Sequence, residues 1–181
     1  MGKQIPNWLF AVIIVAFTVA FIGLLGSAMK PSGQPGANGA SVGKPAPDFD
    51  VKTADGKSFR LADYRDKVVL VNLWATWCGP CRMEIPDLVK LQEELGPRGF
   101  VVLGLSADDS LELAGRFARD EKLNYPVALV TQEIMNGFGN PAGIPATFLI
   151  NKSGKIVWEG QGVNPDVAMY AILKPEIEKL L

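Results

Sequence analysis

Val68–Trp74 reads VVLVNLW, and it runs straight into Trp74-Ala75-Thr76-Trp77-Cys78-Gly79-Pro80-Cys81. A short, nearly continuous apolar run is what a strand buried on both faces of a sheet looks like. Beyond it Ile85, Leu88, Leu91 and Leu95 fall at helical spacing, which predicts a helix over Cys78–Leu95. The two cysteines therefore stand where a buried strand turns into a helix. A Cys-x-x-Cys pair has three ordinary readings. As a structural disulfide it closes a loop so short that the chain-entropy gain is only roughly 2 kcal/mol. As half of a zinc or copper site it lacks nearby ligands. As a redox couple it is well placed, because a helix N-terminus offers unpaired N–H groups and a positive dipole end that favour thiolate at Cys78. Cys81, one turn in, is then placed to attack a mixed disulfide on Cys78 and release the product. Cys78 reads as the nucleophile and Cys81 as the resolving sulfur.

Composition narrows the rest. The chain has 181 residues, room for one domain plus extra pieces. Its 18 basic and 19 acidic side chains leave a net charge of −1, so no nucleic acid partner is indicated. There is no histidine, which removes Ser-His-Asp and Cys-His machinery and histidine-ligated metals. Cys78 and Cys81 are the only cysteines, which excludes a stapled scaffold and a four-cysteine zinc site within one chain. Arg82 stands where c-type haem attachment needs histidine. No cofactor and no resident metal are expected.

Trp8–Met29 is uncharged over 22 residues. At 1.5 Å per residue it makes about 33 Å of helix, enough for a hydrocarbon core. The alternative is a cleaved signal peptide, with Gly26-Ser27-Ala28 as the cleavage site, but the run exceeds the roughly 7–15 apolar residues of a signal core. Residues 1–7 then form a short cytoplasmic tail, 8–29 a membrane anchor, and the catalytic part lies on the extracytoplasmic side of the cell membrane. Residues 30–41, KPSGQPGANGAS through the linker, read as a flexible tether, and 42–181 as the folded domain.

Within that domain Phe49–Thr53 and Ser58–Leu61 flank Ala54-Asp55-Gly56-Lys57, a hairpin signal. Phe100–Ser106 is a second buried strand, Ser110–Lys122 a helix, Val127–Val130 a short strand and Ile134–Phe138 a helical piece. Thr147–Ile150 and Lys155–Glu159 flank a second turn. Asn164-Pro165 is expected to open a terminal helix, with Pro175 kinking or splitting it. Strands alternating with helices, then a late hairpin, give an α/β sheet with a mixed edge.

WATWCGPC at 74–81 closely resembles the thioredoxin superfamily, and the resemblance covers nearly all of 42–181. Trp74 and Trp77 stand where thioredoxins carry paired tryptophans. Pro86 matches the proline of the family's active-site helix. Gly143-Ile144-Pro145-Ala146-Thr147 looks like the cis-proline loop; the other reading is a trans proline opening a strand. The resemblance implies a docking surface for substrate polypeptide made of Trp77, Gly79, Pro80, Ile144 and Pro145. The membrane run with its tether, the opening Val42–Phe49 with its hairpin, and an insertion at Leu123–Asn140 resemble the extracytoplasmic TlpA/ResA-like branch. Asn72 replaces the buried acid of thioredoxin itself. In the ResA-like branch a glutamate three residues after the second cysteine is thought to accept a proton, and Glu84 stands there; its other reading is a solvated acid in a helix's first turns.

What this implies is a thioredoxin-like fold, with an N-terminal hairpin extension and an insertion before the cis-proline loop, preceded by one transmembrane helix. The activity implied is reduction of disulfides in secreted or membrane-associated clients, apocytochrome c among the candidates. A membrane thiol donor would supply the electrons. Two rivals carry other chemistry. A copper(I) carrier would use both thiolates, although related carriers usually add a histidine. A peroxiredoxin-type peroxidase needs Thr or Ser three residues, and Pro seven residues, before its cysteine, where this chain has Ala75 and Val71.

Overall fold

The computed structural model describes residues 41–162 and 166–181. The expected tail, the membrane span at 8–29, the tether up to residue 40 and the Asn164-Pro165 helix start lie outside the described residues. Among the described residues no helix is long and apolar enough to cross a membrane. Ser41, the last residue of the expected tether, is packed: its hydroxyl donates to the Phe138 carbonyl at 3.0 Å and its amide to the Glu159 carboxylate at 3.0 Å.

The first turn forms where Asp55-Gly56 predicts it. It joins β1 (Asp50–Lys52) to β2 (Ser58–Arg60) in an antiparallel pair with Val51 opposite Phe59. Gly56 sits at φ +85°, a conformation that glycine adopts without a Cβ clash. There follow β3 (Val68–Trp74), α1 (Gly79–Leu95), β4 (Phe100–Ser106), α2 (Leu111–Asp120), β5 (Val127–Leu129), α3 (Gln132–Gly137), β6 (Ala146–Ile150), β7 (Ile156–Gln161) and α4 (Met169–Glu178). The main sheet has the order β5-β4-β3-β6-β7. β3, β4 and β5 run parallel, while β6 is antiparallel to β3 and to β7. The Leu123–Asn140 insertion thus supplies an edge strand and a short helix.

All seven residues of β3 are buried because the strand is central and covered on both sides. Val68, Leu70 and Trp74 pack under α1 and α4 with Ile85, Leu88, Leu91, Leu173 and Ile177. Val69, Val71 and Leu73 face the other way, against Phe49, Val51 and Phe59 of the hairpin segment and Ile134 and Phe138 of the insertion. Leu88 and Leu91 are wholly buried, each contributing about 1.5–3 kcal/mol of transfer free energy. That fixes α1 along its length and lets its first turn project exposed residues at no cost to the anchor.

The last helix departs from expectation. It begins at Met169 rather than beside Asn164-Pro165, and no side chain at its own cap residue, Ala168, holds it. A carboxylate from another helix does so instead: the Tyr170 amide donates to Asp87 Oδ2 at 3.1 Å. One of the orphan N–H groups of a first turn is satisfied by a partner 83 residues away. Pro175 does not split the helix, which runs unbroken to Glu178.

Candidate active site

Cys78 is the N-cap of α1. Its backbone is extended, and its sulfur accepts the Cys81 amide at 3.2 Å. Pro80, in the first turn, lacks an N–H at a position that has no helical partner to offer one. Cys78 and Cys81 form a disulfide, with Cα atoms 5.3 Å apart. Both are buried, at 5% and 2% exposure, while Trp77 beside them is 70% exposed. Gly79 and Pro80 are exposed as well. When the bond is reduced, the helix N-terminus favours the Cys78 thiolate over the thiol.

The turn leading to Cys78 is tied to the end of β4. The Thr76 amide donates to both carboxylate oxygens of Asp108, at 3.2 and 3.1 Å, and its hydroxyl donates to Oδ1 at 2.7 Å. Ser106 Oγ donates to Asp108 Oδ2 and accepts the Asp108 amide. Ala107 N–H adds a backbone bond to Trp74 O at 2.8 Å. This anchor went unread in the sequence; the only trace of it is the polar run Ser106-Ala107-Asp108-Asp109-Ser110 directly after a buried strand.

Ile144-Pro145 is a cis peptide, the choice left open by sequence. Antiparallel register sets Leu73 opposite Ala146, so Pro145 lies at the same end of the sheet as Trp74, where the cysteine loop departs. Pro145 is buried and Ile144 half-buried. The Pro145 carbonyl accepts the Gly162 amide at 2.8 Å. All eight site residues named from sequence are thereby placed: Trp77, Cys78, Gly79, Pro80, Cys81 and Glu84 on or just before α1, Ile144 and Pro145 at the adjoining sheet end.

Glu84 is 3% exposed, which removes the solvated-acid reading. Its position three residues after Cys81 puts both on one face of α1. Asn72, from β3, donates to Glu84 Oε2 at 3.5 Å and to Thr147 Oγ1 at 3.0 Å; Glu84 Oε1 is buried with no hydrogen-bond partner. Burial pushes the carboxyl up to about 8, the Asn72 bond pulls against that, and the negative charge of Asp87 adds to the rise. Near neutral pH the group is poised between acid and base. Among the described residues no cluster of three or more metal-ligating side chains occurs.

Two sulfurs that make and break one bond between them move two electrons. Set on the first turn of a helix over this mixed sheet, they define the class as thioredoxin-fold thiol–disulfide oxidoreductases. Residues 42–159 match the AhpC/TSA family, and the chain belongs to that thioredoxin-like family, within its ResA/TlpA-like part. It is similar to the thiol-disulfide oxidoreductase ResA of Bacillus thuringiensis subsp. konkukian, 35% identical over 122 residues that span 67% of this chain and 70% of that one. It is also similar to the thioredoxin-like protein YneN of Bacillus subtilis, 30% identical over 98% of each chain. Among solved structures, a thiol:disulfide interchange protein of the thioredoxin family from Chlorobium tepidum superposes with TM-score 0.66 at 33% identity, covering 77% of this chain and 99% of that one. The chain is a thiol–disulfide redox enzyme.

Proposed function

We propose that the chain is a membrane-anchored reductase whose catalytic domain lies outside the cytoplasm, with Cys78 as nucleophile, Cys81 as resolving thiol and Glu84 as proton acceptor. The observation that carries the assignment is the asymmetry of the two sulfurs: Cys78 caps α1 and accepts the Cys81 amide, while Cys81 lies behind it in the helix. Cys78 thiolate attacks one sulfur of a client disulfide; that client bond breaks, and the other client sulfur leaves as a thiolate. Cys81 gives its proton to the Glu84 carboxylate and attacks Cys78. The Cys78–Cys81 bond forms, the mixed disulfide breaks, and the second client thiolate departs. Two electrons have passed from the dithiol to the client, and a membrane dithiol donor returns them by the reverse exchange.

Trp77, Gly79 and Pro80, exposed beside the sulfurs, and the Ile144-Pro145 strand end form the docking surface for an extended client segment. The uncharged run 8–29 supports anchoring, and the Gly-Pro pair between the cysteines resembles reducing members of the superfamily. Cysteines of secreted or membrane-associated proteins, apocytochrome c among them, are the clients this reading favours. Ala75 and Val71 support exchange over peroxide reduction, since Val71 is built into the opposite core and Ala75 has no hydroxyl.

The test is trapping in cells. Cys81→Ser should accumulate mixed disulfides with clients, and Cys78→Ser should trap almost none. Equal trapping by the two variants would overturn the division of labour. Membrane fractions washed with carbonate should retain the full-length chain, and a soluble product beginning near Met29 would overturn the anchor.

A further inference from the structure

A row of small and polar residues crosses the sheet beneath α1. Register pairs Gly104 with Asn72, Asn72 with Thr147, and Thr147 with Gly160. Their neighbours two positions along the strands, Leu70, Trp74, Val102 and Leu149, belong to the core under α1, so the row faces the same side. Glu84 comes down onto this row and is bonded there by Asn72. Tyr125 enters from the other direction, on the approach to β5. Its Cε2, the ring carbon next to the one bearing the hydroxyl, lies 3.1 Å from the point that a Cβ on Gly104 would occupy. One edge of the phenol ring therefore lies over Gly104, the register partner of Asn72, and a side chain at 104 would press on it.

Three further facts point the same way. Glu84 Oε1 is buried without a hydrogen-bond partner, a costly arrangement for a carboxyl oxygen. Tyr125 is 8% exposed, yet it also lines a cleft of about 700 Å³ between the first hairpin turn and α2, so the residue reaches solvent on that side. Burial holds the phenol above its usual range, with the nearby Glu84 charge adding to the rise, so it stays protonated and able to donate at any working pH.

We propose that the Tyr125 hydroxyl is a positioning residue for Glu84: it donates a hydrogen bond to the carboxylate when that group is ionised, and so sets the pH at which Cys81 is deprotonated. The inference rests on the reading of Glu84 as proton acceptor. Other groups around the carboxyl divide clearly. Asp87, on the same helix, opposes its ionisation, and Asn72 on β3 favours it. Thr147 on β6 accepts the Asn72 amide with its oxygen, so its hydroxyl proton is a competing donor. Tyr125 approaches from the β5 side; it makes no hydrogen bond to Glu84 in this structure, and the proposed donation arises when the acid is ionised. Trp74 Nε1, also 3.1 Å from the Gly104 Cβ point and without a partner, is a second competing donor.

The reduced full-length chain reacting with 5,5′-dithiobis(2-nitrobenzoic acid) separates the two half-steps. Attack by Cys78 breaks the reagent's disulfide and releases one thionitrobenzoate. Proton transfer from Cys81 to Glu84, attack on Cys78 and closure of the Cys78–Cys81 bond release the second. Tyr125→Phe keeps the ring and removes only the donor. The pH midpoint of the second release should rise by about one unit, with the first release unchanged. The infrared carboxylic-acid band of Glu84 should titrate with the same upward shift.

In a Glu84→Gln background the added Tyr125→Phe should change nothing. Superimposable second-release profiles and infrared titrations for wild type and Tyr125→Phe would overturn the proposal. So would an equal shift in the Glu84→Gln background, or a matching infrared shift on Trp74→Phe with none on Tyr125→Phe. A Glu84→Gln chain with the wild-type second release would instead remove the Glu84 reading itself, and this inference with it. Loss of the midpoint in Glu84→Gln, together with an unmoved Tyr125→Phe, would remove only the role of Tyr125.

Discussion

Two carboxylates flank the cysteine loop, and they are held in opposite ways. Asp108, at the end of β4, receives the Thr76 amide, the Thr76 hydroxyl and the Ser106 hydroxyl. Glu84, on α1, receives one long bond from Asn72 on one oxygen and nothing on the other. Both are buried, so the difference is not one of exposure. A carboxylate with several donors holds geometry, because each bond it loses exposes an unsatisfied partner. A carboxyl left short of donors keeps its proton longer and lets it go within the range where thiols react. The loop end fixes where Cys78 stands, and on the proposed reading the helix side receives the Cys81 proton.

That contrast can be broken most strongly at Asp108. Asp108→Ala should lower unfolding stability by about 2–4 kcal/mol, by stranding the Thr76 and Ser106 donors. Urea titration of the full chain measures it, and a loss well under that figure would mean that the anchor is dispensable. Glu84→Gln should act in the other direction, increasingly as pH rises above about 4.5. The folded carboxyl stands at about 8 against 4.5 unfolded, so the folded state holds the extra proton between those values. Stability supplied by protonated Glu84 is complete below about 4.5 and falls as pH rises through about 8.

Each unit of that displacement is worth roughly 1.4 kcal/mol, so wild type should weaken from pH 5 to 9 more than Glu84→Gln does. Urea midpoints across that range check it, and parallel pH curves for the two chains would contradict it. Gly56→Ala is the control remote from both carboxylates. It should cost about 1 kcal/mol through the left-handed turn and leave both the pH slope and the exchange rates unchanged, as urea titration and exchange kinetics would show.

Much of this arrangement was legible in residues 68–95. An unbroken apolar strand, a Cys-x-x-Cys and a helical repeat of Ile85, Leu88, Leu91 and Leu95 carry their meaning locally, because strand burial and helix periodicity are local patterns. Asp55-Gly56 predicted its turn for the same reason. The start of α4 was not legible, since its first turn is satisfied by Asp87 from α1, and the local Asn164-Pro165 signal knows nothing of that. Glu84 could be picked out by its distance from Cys81, yet its burial depends on Asn72 and Thr147, which only strand register brings beneath it. Asp108 and Tyr125 escaped notice altogether: their partners lie on other elements, and a lone acid after a strand or a lone tyrosine in an insertion has many ordinary uses.

Cys78 and Cys81 are the only thiols the chain carries. A polypeptide with four cysteines can close in three patterns and one with six in fifteen, so oxidants in its surroundings can lead it astray. This chain has a single intramolecular pattern. Whatever oxidises it during or after folding produces the bond used in turnover, and no isomerase is needed to sort its sulfurs. Any incorrect disulfide must involve a second molecule, and one between copies of this chain would be visible as a ladder on a non-reducing gel.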